Sequence, residues 1–146
     1  MYKKILFGAI SLVLLTCAAV QAVMVSVAVD KIKMHASAGE KSPVLWTLGI
    51  GYPLSVVDDQ GDWLNVQDFA GDTGWVATKQ IDRKPHMIVK DDLVDVRSGP
   101  SNRFKLVGRA NNGVVFQTLK VKTNWIKVKH QNGLTGWISR SQLWGW

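Results

Sequence analysis

The amino-acid sequence predicts an all-β protein built from two tandem copies of one small domain. One segment pattern recurs at an offset of 62 residues, without a gap, across some fifty positions. No window shows a sustained helical period, whereas short alternating segments recur between Gly, Asn and Asp residues. Equal spacing over that length means two copies of one fold, each with its own core, which together use nearly all of the chain after residue 22.

The repeat is carried by identical glycines and tryptophans and by matched apolar positions. The identical residues are Gly51, Trp63, Val66, Gly71, Thr73, Gly74 and Trp75, which return as Gly113, Trp125, Val128, Gly133, Thr135, Gly136 and Trp137. The apolar matches are Ile32 with Val94, Met34 with Val96, Leu64 with Ile126, Val76 with Ile138 and Ile81 with Leu143. These matched positions are the predicted core.

Each copy is predicted to contain five strands. In the first copy they cover residues 31–35, 44–48, 53–58, 63–68 and 73–77, and in the second 93–97, 106–110, 115–119, 125–130 and 134–139. Between the last two strands of each set lie Ala70-Gly71-Asp72 and Gln131-Asn132-Gly133, which are tight-turn sequences.

The first 22 residues are typical of a secretory signal peptide. Lys3 and Lys4 precede the apolar run from Ile5 to Leu15, and Val20-Gln21-Ala22 places small residues at the two positions read by signal peptidase. Two alternatives stay open: a retained membrane anchor, or lipidation of Cys17, the only cysteine. Cleavage after Ala22 predicts a periplasmic or secreted protein without stable membrane insertion and without disulfides.

The remaining chain divides into a first domain at 23–82, a linker at 83–88 and a second domain at 89–146. The stretch Asp82-Arg83-Lys84-Pro85-His86 is polar and carries a proline, as linkers do. Because this linker is short, the two domains are expected to sit close together.

Charge is unevenly distributed between the copies. Residues 30–81 hold four lysines and seven acidic residues, a net charge of −3, while residues 82–146 hold twelve basic and four acidic residues, a net charge of +8. This asymmetry fits a solvated surface, two domains that lean on each other, or an anionic partner such as a phosphate-bearing wall polymer, lipid head groups or an acidic protein. Nucleic acid is not an expected partner of a secreted protein.

The second copy resembles the bacterial SH3 domain along its whole length. The matching segments are Val94-Asp95-Val96-Arg97-Ser98-Gly99-Pro100-Ser101, Trp125-Ile126-Lys127-Val128 and Gly133-Leu134-Thr135-Gly136-Trp137-Ile138. The first copy keeps the second half of this pattern and replaces the Arg-Ser-Gly-Pro run with His35-Ala36-Ser37-Ala38. The resemblance implies two small SH3-like five-stranded barrels. It also implies a binding role, often toward peptidoglycan or its peptides and often beside a wall hydrolase.

The strand that begins at each tryptophan supplies the leading candidate site. Side chains alternate across a strand, so Leu64 and Val66 share one face while Trp63 and Asn65 share the other. Trp125 and Lys127 correspond to them in the second copy. If the aliphatic pair faces the core, the tryptophans face outward or into a groove that suits a peptide or a sugar; alternatively, each Trp folds over the edge of its own core.

His35 and Arg97 end the first predicted strand of each copy and are added to the candidate ligand-binding residues. Arg97 either clamps a ligand carboxylate or braces the backbone of the loop that follows it. Gly74, Trp75, Gly136 and Trp137 are assigned structural roles, with each Trp closing its barrel. Lys120, Lys122, Lys127 and Lys129 form the candidate anionic-partner patch, with a solvated strand surface as the alternative.

Enzymatic chemistry finds no support in the residue pattern. After signal removal no cysteine nucleophile remains, the three histidines are scattered, and no serine lies in a Gly-x-Ser-x-Gly context. We therefore expect no catalytic residue, cofactor or metal. The sequence predicts a non-enzymatic binding protein for peptidoglycan or its peptide; the alternative is an envelope protein-interaction adaptor that uses its oppositely charged domains.

Overall fold

The computed structural model describes residues 21–146, and this part of the chain contains β-strands and two short 3-10 turns. The signal peptide expected at 1–22 lies outside the described range except for its last two residues. Cys17, the site of the lipidation alternative, also lies outside it. Residues 21–146 hold no helix that is long and apolar enough to cross a membrane.

Fourteen strands form two sheets of seven. The first sheet contains β1 (Met24–Val27), β2 (Lys31–His35), β3 (Val44–Gly49), β4 (Pro53–Asp59), β5 (Trp63–Gln67), β6 (Thr73–Ala77) and β7 (Ile81–Asp82). The second contains β8 (His86–Val89), β9 (Leu93–Arg97), β10 (Leu106–Asn111), β11 (Val115–Lys122), β12 (Trp125–Lys129), β13 (Thr135–Ser139) and β14 (Leu143–Gly145). The predicted all-β tandem is confirmed.

Both sheets have the same strand order. It runs β3-β2-β6-β5-β4-β1-β7 in the first and β10-β9-β13-β12-β11-β8-β14 in the second. The five predicted strands of each copy are present, and each sheet adds a strand before them and one after them. These added strands pair with each other and with β4 or β11, all antiparallel. We call the two units the first and the second barrel, after the fold that the resemblance implies.

The two cores coincide position for position. The first core consists of Val25, Val27, Ile32, Met34, Leu48, Leu54, Leu64, Val66 and Val76, and each has a buried counterpart 62 residues later. From the first core to the second, the side chain becomes smaller at one position, from Leu48 to Ala110, and larger at another, from Leu54 to Phe116. Cores tolerate such exchanges when total volume is kept, so one backbone accommodates both sequences.

The last hairpin of each barrel closes with the predicted tight turn. Gly71 and Gly133 have φ of +91° and +96°, a conformation in which a Cβ is unfavourable. In the first turn Asp68 Oδ1 accepts hydrogen bonds from the backbone N–H groups of Ala70 and Asp72, both at 2.9 Å. In the second turn Asn132 Oδ1 accepts from the N–H of Leu134 at 3.0 Å.

The linker predicted at 83–88 is longer than the one observed. Strand β7 ends at Asp82 and strand β8 begins at His86, so only residues 83–85 connect the barrels. Met87, Ile88 and Val89 are all buried, and their strand pairs with β11 and β14. The polar composition and Pro85 mark the connection correctly but not its end.

Candidate functional site

Each barrel carries a groove on its outer surface, and the two grooves are equivalent. Five lining positions coincide at the offset of 62: Lys33 with Asp95, His35 with Arg97, Glu40 with Asn102, Trp63 with Trp125, and Gln80 with Gln142. Each groove has a volume of about 360 Å³. The same concavity is therefore built twice, although only the tryptophan and the glutamine are identical.

Strand alternation places the tryptophans on the grooves, as predicted. Leu64 and Val66 are buried in the core, while Trp63 lies half-buried on the opposite face of β5. Strand β12 repeats this pattern with Trp125. Both half-buried rings line the grooves, on the strand face opposite the buried aliphatic pair.

His35 and Arg97 make the same bond with different chemistry. The Nδ1 of His35 lies 2.9 Å from the carbonyl oxygen of Ser42, and a carbonyl only accepts, so Nδ1 carries the proton. The Nη1 of Arg97 donates to the carbonyl of Phe104 at 3.1 Å, and Phe104 is the counterpart of Ser42. Each side chain thus braces the loop that forms one wall of its groove.

The guanidinium of Arg97 is engaged on both arms. Its Nη2 forms an ion pair with Asp95 at 2.9 Å, and Asp95 also pairs with Arg109 at 3.0 Å. Of the two roles considered for Arg97, bracing the loop is therefore the one that the structure displays. In the first barrel the His35 ring meets Trp63 edge to face, with ring centroids 5.5 Å apart, and so orients the groove tryptophan.

Asn65 and Lys127, the other two predicted ligand-binding residues, lie beside the grooves and do not line them. Asn65 is half-buried, and its Oδ1 is buried without a hydrogen-bond partner among the described residues. Register pairs Asn65 with Trp75 on one side and Asp58 on the other. The counterparts in the second barrel are Lys127, Trp137 and Lys120.

Trp75 and Trp137, which were expected to close their barrels, stand where the last hairpin pairs with the first full strand. Both are half-buried and share the outer face, where they pair with His35 and Arg97. Neither belongs to a core cluster. The buried neighbours in β6 and β13 are the glycine before each Trp and the aliphatic residue after it, so alternation puts the ring outside.

Gly74 and Gly136 do have the structural role assigned to them. A Cβ on Gly74 would lie 2.6 Å from Met34 Cγ and 3.0 Å from the carbonyl oxygen of His35. On Gly136 it would lie 2.7 Å from the carbonyl oxygen of Arg97. These glycines let β6 and β13 approach β2 and β9 closely.

The sequence interpretation missed three positions shared by both grooves, which are Lys33, Glu40 and Gln80 with their counterparts. It also missed four residues that line one groove only: Ala77, Lys79, Leu93 and Arg109. Lys33 precedes His35 by two residues on the same strand face, so alternation from His35 was a usable signal. Glu40 lies in the loop after β2 and Gln80 in a 3-10 turn; no periodic pattern marks either of them.

Comparison with known proteins agrees with this architecture. The bacterial SH3 domain family model matches residues 28–82 and again residues 90–145. The chain belongs to the bacterial SH3 domain family. Both matched segments coincide with the two barrels, and the bacterial SH3 fold predicted by the resemblance is confirmed.

Relatives share the bacterial SH3 segments within longer proteins. YrvJ of Bacillus subtilis, named as an N-acetylmuramoyl-L-alanine amidase, is 23% identical over 124 residues, covering 77% of this chain and 24% of its own length. The uncharacterized protein YgiM of Escherichia coli K12 is 41% identical over 58 residues, covering 38% of this chain and 28% of its own. An NlpC/P60 family protein from Bacillus cereus matches in structure with a TM-score of 0.39 and 16% identity, covering 85% of this chain and 56% of its own.

Proposed function

We propose that this protein is a non-enzymatic binding protein of the cell envelope, periplasmic or secreted, and that its two bacterial SH3 domains recognise peptidoglycan or its peptide through the Trp63 and Trp125 grooves. The observation that carries the proposal is the duplication of the groove. Surface residues drift freely when nothing constrains them, yet the same concavity with the same tryptophan recurs in both barrels. A relative named as an N-acetylmuramoyl-L-alanine amidase matches 77% of this chain.

The chemistry of the grooves suits a wall peptide. A half-exposed indole offers an apolar face and an N–H donor, which fit an extended peptide or a sugar ring. Lys33 and Glu40 flank Trp63, while Asp95 and Arg109 flank Trp125. Groups of both signs beside an aromatic floor match a peptide that carries both amino and carboxyl groups.

Sedimentation with purified peptidoglycan sacculi tests the proposal. We expect the purified protein to pellet with sacculi at about 0.1 M and at about 1 M salt, where the Debye length falls from about 10 Å to about 3 Å. The W63A/W125A double variant should lose at least about tenfold in affinity, as expected when aromatic contact residues are truncated. Trp46→Ala is the matched control, because Trp46 is 52% exposed on β3 and lies outside both grooves.

Thermal melting of each variant separates lost binding from lost folding. If the folded double variant pellets as well as the unchanged protein, the grooves are not the wall site. If the protein pellets only at low salt and W63A/W125A has no effect, the result supports the alternative function, an envelope protein-interaction adaptor. That outcome would point to the opposite charges of the two domains as the means of partner recognition.

A further inference from the structure

One hairpin of the second barrel is strongly cationic on one face. Strands β11 and β12 place Lys120 directly opposite Lys127, and Lys122 directly opposite Trp125. Directly opposed residues of an antiparallel pair project to the same side. Lys120, Lys122, Lys127 and Trp125 therefore share the outer face of this hairpin, and we call residues 119–122 the basic tip.

These lysines have no internal counter-charge. Within residues 21–146 both ion pairs are made by Asp95, with Arg97 and Arg109. Like charges placed directly opposite each other destabilise a strand pair. The Lys120–Lys127 pair is therefore unfavourable in the isolated barrel, and an external anion relieves it.

The basic tip also exposes aliphatic side chains. Leu119 is 44% exposed and Val121 is 56% exposed, and they alternate with Lys120 and Lys122 along β11. Leu119 occupies the irregular register step between Thr118 and Lys120. Val121 lies opposite the buried Ile126, so it projects from the other face of the hairpin than the lysines. A hairpin end that carries cationic side chains on one face and exposed aliphatic ones beside them suits the interface of a membrane.

The fold does not require this composition. At the equivalent positions of the first barrel, Lys120 is replaced by Asp58, Val121 by Asp59 and Lys127 by Asn65, on the same β4–β5 hairpin. Leu119 corresponds to Val57, which is 59% exposed, so both hairpins share one exposed aliphatic residue. The same backbone thus carries an acidic hairpin in one barrel and a basic one in the other.

We propose that the basic tip of the second barrel binds the surface of an anionic phospholipid membrane, with Leu119 and Val121 entering the head-group region and the lysines contacting lipid phosphates. Near an anionic surface each lysine contributes about 1 kcal/mol. A soluble phosphate polymer would account for the lysines alone, whereas the two exposed aliphatic side chains need an apolar medium. This site is independent of the grooves, and both can be occupied together.

Vesicle sedimentation tests the proposal directly. The purified protein should pellet with vesicles of phosphatidylcholine containing about 30% phosphatidylglycerol and not with phosphatidylcholine alone. K120E/K122E should weaken binding at least about tenfold. R103E/K105E is the charge-matched control, because it reverses two exposed charges of the same barrel away from the tip, and it should bind more tightly than K120E/K122E.

A second variant separates membrane from polymer. L119S/V121S keeps every charge, and it should lose affinity for the anionic vesicles, while W63A, which alters only the groove of the first barrel, should bind them normally. Unchanged vesicle binding by folded L119S/V121S would overturn the proposal. So would binding to soluble polyphosphate with none to vesicles, which would assign the lysines to a phosphate polymer. Failure of the sacculus experiment leaves these results unaffected.

Discussion

His35 at the end of β2 and Arg97 at the end of β9 make equivalent hydrogen bonds with different side chains. His35 and Arg97 both donate to the carbonyl of the residue seven positions later. An imidazole and a guanidinium satisfy the same acceptor, because each carries an N–H at the right reach. Only Arg97 needs an acid beside it, and Asp95 stands where the first barrel has Lys33.

At the residue scale, the face that a side chain occupies sets the cost of removing it. Leu64→Ala should lower the free energy of unfolding by about 2–5 kcal/mol, because Leu64 is a core residue. Trp75→Ala should cost less, because the ring is half-buried on the outer face. Chemical denaturation of both variants measures the difference. A Trp75→Ala variant less stable than Leu64→Ala would contradict the assignment of Trp75 to the outer face.

Alternation explains which residue assignments the sequence supported. The strand from Trp63 shows a clear apolar pair, Leu64 and Val66, so its outward residues were predictable. For the strand through Trp75, the sequence interpretation used the Gly-Trp step to assign barrel closure and did not assign the face of the ring. Applying the same period-two rule there puts Gly74 and Val76 inside, which is what the structure has.

At the scale of the element, the Gly-Trp step controls how closely the last hairpin approaches the first strand. Gly136→Ala should lower the free energy of unfolding by about 1–3 kcal/mol, because its Cβ would meet the carbonyl oxygen of Arg97 at 2.7 Å, and backbone cannot move aside cheaply. Gly49→Ala is the matched control, because a Cβ there would lie 3.9 Å from its nearest neighbour, the carbonyl oxygen of Asp30. Equal stability of the two variants would show that β13 can retreat from β9.

The strands that the sequence did not reveal are the short ones at the margins of each sheet. Strand β7 has two residues and β14 has three, which is too few for an alternating pattern. Met24–Val27 is rich in β-branched residues, but it directly follows the apolar N-terminal segment of the sequence, so composition does not separate the strand from that segment. Strands β1 and β8 pair with β4 and β11, and β7 and β14 pair in turn with β1 and β8. Local pattern does not encode these long-range contacts.

At the scale of the whole molecule, the two barrels meet at a polar junction around the connecting residues. Strand β4 of the first barrel contacts β8 and β14 of the second. Ser26 of β1 is fully buried, and its hydroxyl donates to the carbonyl of Lys84 at 2.8 Å. The Nδ1 of His86 lies 2.9 Å from the same carbonyl and 3.1 Å from the Ser26 hydroxyl. A single carbonyl of the linker is thus held from both barrels.

The stiffness of this junction sets whether the grooves and the basic tip keep a fixed orientation relative to each other. A connection of three residues, with Gly51 packed so closely on His86 that a Cβ would lie 2.7 Å from the ring, favours barrels that tumble as one body. Ser26→Ala removes one of the two bonds to the Lys84 carbonyl and should weaken the junction by about 1 kcal/mol. Backbone 15N relaxation of each barrel then measures whether the two rotational correlation times separate.

Ser55→Ala is the control for that experiment, because Ser55 lies on the neighbouring strand β4, in register with Met24, and leaves the Lys84 carbonyl untouched. If Ser26→Ala and Ser55→Ala give the same correlation times, the hydroxyl does not hold the junction. If the correlation times separate in Ser26→Ala alone, the Ser26 hydroxyl holds the two barrels in a fixed relative orientation. A protein bound to the wall by its grooves would then present the basic tip in a fixed direction. Loosening the junction should therefore weaken simultaneous binding to sacculi and vesicles more than binding to either one.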